Sequence, residues 1–160
     1  MRVISQKVSK WFCIAQSACP NYDPNVVLAL IAVESGGDPK AHRLLSQFHG
    51  LLQMGRGAGI DAGFADKGRH TTAVLNGNGA LAIEKWHEYV ERYRARHRDE
   101  PARIALLWKG GPGYLKTVNE NHDAGAIWGD ALNAADKKYG FSAKEYLRRF
   151  DAFFEELSQC

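Results

Sequence analysis

The chain is poor in the features that most readily betray a function. It has three cysteines, Cys13, Cys19 and Cys160, and no C-x-x-C pair, which argues against a structural zinc site. Cys13 and Cys19 are close enough in sequence for a local disulfide, and buried free thiols are the other reading. The six histidines are dispersed and form no H-E-x-x-H motif, so no metal is expected. The longest apolar run, residues 26–33, is far shorter than the roughly 20 residues needed to span a bilayer. The N-terminal residues MRVISQKVSKWFCIAQSACP lack a secretory apolar core, because Ser5, Gln6, Lys7, Ser9 and Lys10 interrupt it. Charge of one sign is scarce too. Twenty-one basic against 18 acidic residues leave a net +3, too mild for nucleic-acid binding but suited to a polyanionic surface. The one dense basic run, RYRARHR at 92–98, reads as a solvated helix end.

What is present is ordinary in amount and orderly in pattern. A chain of 160 residues, 45% apolar and 24% charged, predicts one soluble domain over 1–160 with a real core. Helical periodicity dominates, and the expected class is mainly α. Val8, Trp11, Phe12 and Ala15 mark a stripe in an N-terminal helix within 1–21. Asp23-Pro24 reads as an N-cap with proline at N1, starting a helix that stops at Gly36-Gly37. Residues 36–78 are glycine-rich, with short helices or a small β-hairpin inside 44–80 both compatible. Helix returns after Gly79 with Ala82, Trp86, Tyr89, Val90 and Tyr93 on one face. Further helices are expected over Pro101 to Trp108, 113–121 and 125–139. A last one follows a Ser142-to-Glu145 capping box and carries Tyr146, Phe150, Phe153, Phe154 and Leu157.

One placement stands out. In VVLALIAVESGG, residues 26–37, eight apolar residues run straight into Glu34. On a helix, Val27, Leu30, Ile31 and Glu34 share a face, so the carboxylate continues the buried stripe. It also sits at the negative end of the helix dipole. Both features disfavour ionisation and predict a raised pKa, as a glycosidase general acid requires. Periodicity alone favours the structural reading, a glutamate capping the chain or paired with an arginine at a helix end.

The residues downstream add to this. ESGGDPKA followed by GLLQM at 50–54 resembles the first two motifs of the soluble lytic transglycosylases, the family-23 glycoside hydrolases related to goose-type lysozyme. That family pairs Glu-Ser at a helix end with Asn-Pro or Asp-Pro and then Gly-Leu-Met-Gln. Glu34-Ser35, Asp38-Pro39 and Gly50 to Gln53 fill those places. LWKGGPG, Leu107 to Gly113, resembles the third motif, Ala-Tyr-Asn-Ala-Gly-Pro-Gly, and AKEYLRRF resembles the fourth at Tyr146. The four motifs in order cover roughly residues 22–154.

The resemblance implies a lysozyme-like α fold with a substrate cleft, acting as a monomer on the N-acetylmuramic acid–N-acetylglucosamine strands of bacterial peptidoglycan. It implies Glu34 as general acid and then base, forming a 1,6-anhydro sugar without a second carboxylate, an exception to the usual carboxylate pair. Tyr146 would hydrogen-bond the acid. Ser35 would either bond near it or simply end the helix. Gln53, Ser46, Met54, Trp108 and Gly111 would bind or line the sugar site, with Met54 and Leu52 packing its floor. No metal or cofactor takes part. The chain departs from the pattern at Trp108 and Lys109, where the family has tyrosine and asparagine, and at MGRGAG, where it has a Met-Pro turn. Lys109 is expected to point away from Glu34, since a nearby cation would lower the acid's pKa. Asp61 or Asp66 holding a water would give the alternative of goose-type hydrolysis. A catalytically inactive wall-binding module is the remaining alternative. The missing signal segment suits a phage endolysin, a virion-associated lysin or a domain of a larger protein.

Overall fold

The computed structural model describes residues 5–159. The first four residues of the expected N-terminal helix and Cys160 lie outside the described residues. Nine α-helices make up the described chain: α1 Gln6–Ser9, α2 Phe12–Ala18, α3 Pro24–Ser35, α4 Arg56–Asp61, α5 Gly79–Arg92, α6 Arg94–His97, α7 Pro101–Asp123, α8 Trp128–Tyr139 and α9 Lys144–Ser158. A 3-10 turn, Ala73–Leu75, interrupts the long connection before α5. The class is mainly α, as the periodicity predicts. In place of a hairpin in 44–80, the described residues hold one antiparallel bridge, His49 to Met54. No described helix is long and apolar enough to cross a membrane.

The chain divides into two compact units. The first takes the chain up to Arg92 and again from Ala152. Within it α3 packs against α1 and α2, and α5 against α2, α4 and the 3-10 turn. Its core holds Leu28, Leu30, Ile31, Leu51, Leu75, Ile83 and Trp86, all but closed to solvent. The expected N-terminal helix is broken at Lys10-Trp11. Val8 and Ala15 are buried as the stripe predicts, whereas Phe12 is exposed. At the break the Trp11 ring lies where a side chain on Gly79 would sit, at 2.1 Å from the would-be Cβ. Both described cysteines are free thiols. Cys13 is exposed, against the expectation of burial, while Cys19 is buried. Burial, with Glu91 adding to it, pushes the Cys19 thiol up to about 12.

The second unit runs from Tyr93 to Asp151, with α7 packed on α6 and α8. Arg103 is buried on α7, donates from Nε to Asn119 Oδ1 at 2.8 Å and pairs with Glu100. Asn119 in turn donates to the Arg96 carbonyl at 2.8 Å, fastening α6. The α9 N-terminus differs from the expected capping box. Glu145 pairs with Arg148 instead of reaching back to Ser142. Asp136 takes over the capping: its Oδ1 accepts from the Ala143 amide at 3.1 Å and from the Tyr114 hydroxyl at 2.7 Å. Burial and that bond hold the Tyr114 hydroxyl well above its ordinary pKa.

Candidate functional site

Glu34 is placed by α3, and α3 by local punctuation. Asp23 Oδ1 accepts from the Asn25 amide at 2.9 Å, Pro24 opens the first turn, and Gly36 closes the helix in the left-handed conformation. Between these, Val26 through Ala32 are all buried. The helix is thus wrapped by protein on every side, wider than the single stripe that periodicity suggests. Glu34 comes after that buried run and is half-buried.

The turn beyond Glu34 is pinned. Ser35 Oγ donates to the Ile31 carbonyl at 3.3 Å and accepts from the Gly37 amide at 3.2 Å, so Ser35 terminates the helix. Gly37 has φ +94°, and a Cβ there would lie 2.2 Å from the Lys7 carbonyl oxygen. Only glycine permits both the conformation and that approach. Trp11 Nε1 donates to the Gly37 carbonyl at 3.1 Å. The backbone carrying Glu34 is therefore fixed from the helix on one side and from α1 and Trp11 on the other.

The GLLQM segment is a tight loop that satisfies its own backbone. The Gly50 amide donates to the Ala41 carbonyl at 3.0 Å, and Gly50 packs so closely on Leu75 that a Cβ would meet its carbonyl oxygen at 2.7 Å. Gln53 adopts a left-handed φ of 54°. Its Nε2 donates to the Ala41 carbonyl at 2.6 Å and the Gly50 carbonyl at 2.8 Å. Both amide protons are thereby used to fasten the loop, leaving Oε1 as the group able to accept from a ligand. Met54 is 1% exposed, and the Thr72 hydroxyl donates to its carbonyl at 2.7 Å, so Met54 packs the interior rather than offering surface. Leu52 is buried likewise. Ser46 Oγ accepts from the Phe48 amide at 3.1 Å and shapes its own turn. Asp66 is held by Arg56 through two hydrogen bonds of 2.9 and 2.6 Å. That guanidinium, with the Gly68 amide, holds the Asp66 carboxyl below its usual range. Asp61 is the last residue of α4 and half-buried.

The same loop brings three histidines together. One ring nitrogen each of His42, His49 and His70 lies within 4.8 Å of the other two. Dispersal along the sequence, the ground for expecting no metal ligands, does not carry over to space. His49 is 2% exposed and stacks on His42 at 4.2 Å, with 15° between the rings. Its Nε2 is 3.0 Å from His70 Nδ1, and its Nδ1 is 2.8 Å from the Asn76 side-chain amide. Burial first, then the neighbouring His42 and His70, holds the His49 pKa below its ordinary value, against the pull of the Asn76 bond. Positions 42, 49 and 70 match no short metal-ligand motif. The available signal was three of the six histidines falling inside the glycine-rich segment.

In the second unit, Trp108 is half-buried and Lys109 exposed, and the Lys109 ammonium lies 5.5 Å from the Tyr146 ring centroid. Tyr146 is 8% exposed. The glycines of KGGPG have internal reasons. A Cβ on Gly110 would strike the Tyr114 ring at 2.5 Å, and one on Gly113 would meet the Tyr139 hydroxyl at 2.7 Å. Gly111, at φ 85° and ψ 175°, kinks α7 just before Pro112 in a conformation almost confined to glycine. Gly110 and Gly113 thus allow the close approach of the chain's own tyrosines. Of the sequence-selected residues, Glu34, Ser35, Ser46, Gln53 and Met54 belong to the first unit and Trp108, Gly111 and Tyr146 to the second. No protein-family model matches this sequence, and no curated protein matches it either.

Proposed function

We propose that the chain is a peptidoglycan lytic transglycosylase of lysozyme-like helical fold, with Glu34 as its acid and base, acting on the bacterial cell wall. The observation that carries this reading is the setting of Glu34: half-buried, two residues after a run of seven buried residues of α3, on a backbone fixed by Ser35, Gly36 and Gly37. General acid catalysis needs a carboxyl that is shielded yet reachable, held still by its surroundings. The motif sequence ESGG…GLLQM…GGPG…EY supplies the substrate class by resemblance.

In this mechanism the Glu34 carboxylic acid gives its proton to the glycosidic oxygen between N-acetylmuramic acid and N-acetylglucosamine, and the C1–O bond breaks. The sugar's own acetamide stabilises the cation. The glutamate then takes the proton of the muramic acid O6 hydroxyl as O6 bonds to C1. The proton count on Glu34 is restored, no water is consumed and no cofactor enters. Engagement of Asp66 by Arg56 weakens the case for that carboxylate holding a hydrolytic water.

The test is digestion of purified peptidoglycan followed by mass analysis of the released fragments. Muropeptides one water lighter than ordinary reducing ends are expected. Ordinary reducing ends would replace this chemistry by hydrolysis, and no release of fragments would leave a wall-binding module.

A further inference from the structure

We propose that His42, His49 and His70 form a binding site for one divalent cation of the zinc type, held by three imidazoles with a water at the fourth position. Two observations support it. The first is convergence: three ring nitrogens from separate stretches of the loop lie within 4.8 Å of one another. A tetrahedral zinc with Zn–N bonds of 2.0–2.1 Å puts its ligand nitrogens about 3.3 Å apart. His49 Nε2 and His70 Nδ1, at 3.0 Å, are already at nearly that spacing. His42 closes the set by turning out of its stack on His49, a movement of about 1–2 Å at an exposed side chain.

The second observation is that the outer nitrogens have partners of the kind that orient metal ligands. His42 Nε2 is 2.9 Å from the Ser46 carbonyl, which can only accept, so Nε2 carries the proton and Nδ1 keeps its lone pair. His49 Nδ1 faces Asn76 at 2.8 Å. When His49 Nε2 binds the cation, the ring's one proton sits on Nδ1, and Asn76 turns its amide to accept it through Oδ1. Each imidazole stays neutral, and the ring-proton count does not change. A backbone carbonyl behind a ligand is a usual support of a histidine metal site, and Asn76 Oδ1 can accept in the same way behind His49.

His49 is the one buried ring of the three, with His42 and His70 both exposed. Three imidazoles without thiolate suit zinc, with copper(II) and nickel(II) as stronger competitors for the same nitrogens. The consequence for the molecule is a clip. Residues 42, 49 and 70 span most of the long connection between α3 and α5, and one cation would tie it at three points. This holds whatever Glu34 does.

The experiment is calorimetric titration of the chelator-treated full chain with zinc chloride, alongside thermal unfolding. One zinc per chain and a raised unfolding midpoint are expected. His42→Ala and His70→Ala, both at exposed positions, should keep the helical circular dichroism and each weaken zinc binding at least about tenfold. Cys13→Ser should leave binding unchanged. Cobalt(II) in place of zinc should give the intense visible bands of a four-coordinate ion. Absence of stoichiometric uptake, or uptake undiminished in the His42→Ala/His70→Ala double variant, would overturn the proposal.

Discussion

Helix α3 and the loop that follows it stand side by side in the chain and hold their polar groups by opposite means. In α3, Val26 through Ala32 are buried apolar side chains, and Glu34 is set in place by packing plus one pinned turn. In residues 36–78 little of the backbone is helical, and position comes from hydrogen bonds: Gln53 to Ala41 and Gly50, Thr72 to Met54, His49 to Asn76 and His70. Burial of a leucine or isoleucine side chain stabilises by about 1.5–3 kcal/mol, whereas one hydrogen bond adds about 1 kcal/mol net. The helix should therefore be the rigid half and the loop the adjustable half. An acid that must not move belongs in the first, and ligands that must close about 1–2 Å around a cation belong in the second.

That contrast can be broken by substitution, and the largest effect should come from the helix. Leu30 is fully buried, so Leu30→Ala should cost roughly 2–5 kcal/mol in urea unfolding, lowering global stability rather than one segment. A cost below about 1 kcal/mol would mean that α3 is not the anchor. Gln53→Ala comes next. It removes two hydrogen bonds from the loop and should cost roughly 1–2 kcal/mol. Its signature is regional: amide exchange should quicken around Ala41 and Gly50 and stay slow in α3. Equal acceleration in both regions would erase the distinction.

The smallest effect is one of pH. His49 has a folded pKa below its ordinary 6.5, so the unfolded chain binds more protons between the two values. This contribution is fully present above 6.5 and is lost as pH falls from there through the lower folded value. The unfolding midpoint should drop as pH falls from 6.5 through the lower folded value, and His49→Gln should flatten part of that drop. A rise in midpoint on acidification over that window, removed by the same variant, would reverse the sign assigned to His49.

The sequence was most legible where structure is set by neighbours in the chain. Asp23-Pro24 and Gly36 are local signals, and α3 begins and ends where they place it. Tyr89, Val90, Ala82 and Trp86 are buried as their spacing on α5 predicts. Legibility failed where a distant residue decides. One helix was expected where two short ones form, and nothing near Trp11 says that its indole will bond the Gly37 carbonyl and press on Gly79. Ser142 and Glu145 have the spacing of a capping box, but Arg148 captures the glutamate and Asp136, from α8, takes the amide. The site shows the same divide. Glu34 could be picked out because an apolar helix exposes a misplaced charge. His42, His49 and His70 could not, because a glycine-rich loop has no periodicity from which to read which residues will face each other.

The most direct test of the role given to Glu34 is the rate at which soluble fragments leave purified peptidoglycan, compared for the unmodified chain and Glu34→Gln. Glutamine keeps the shape and removes the transferable proton. The rate should fall by about 10²–10⁴-fold while helical content and the unfolding midpoint stay unchanged. A Glu34→Gln chain that released fragments at nearly the original rate would contradict the account.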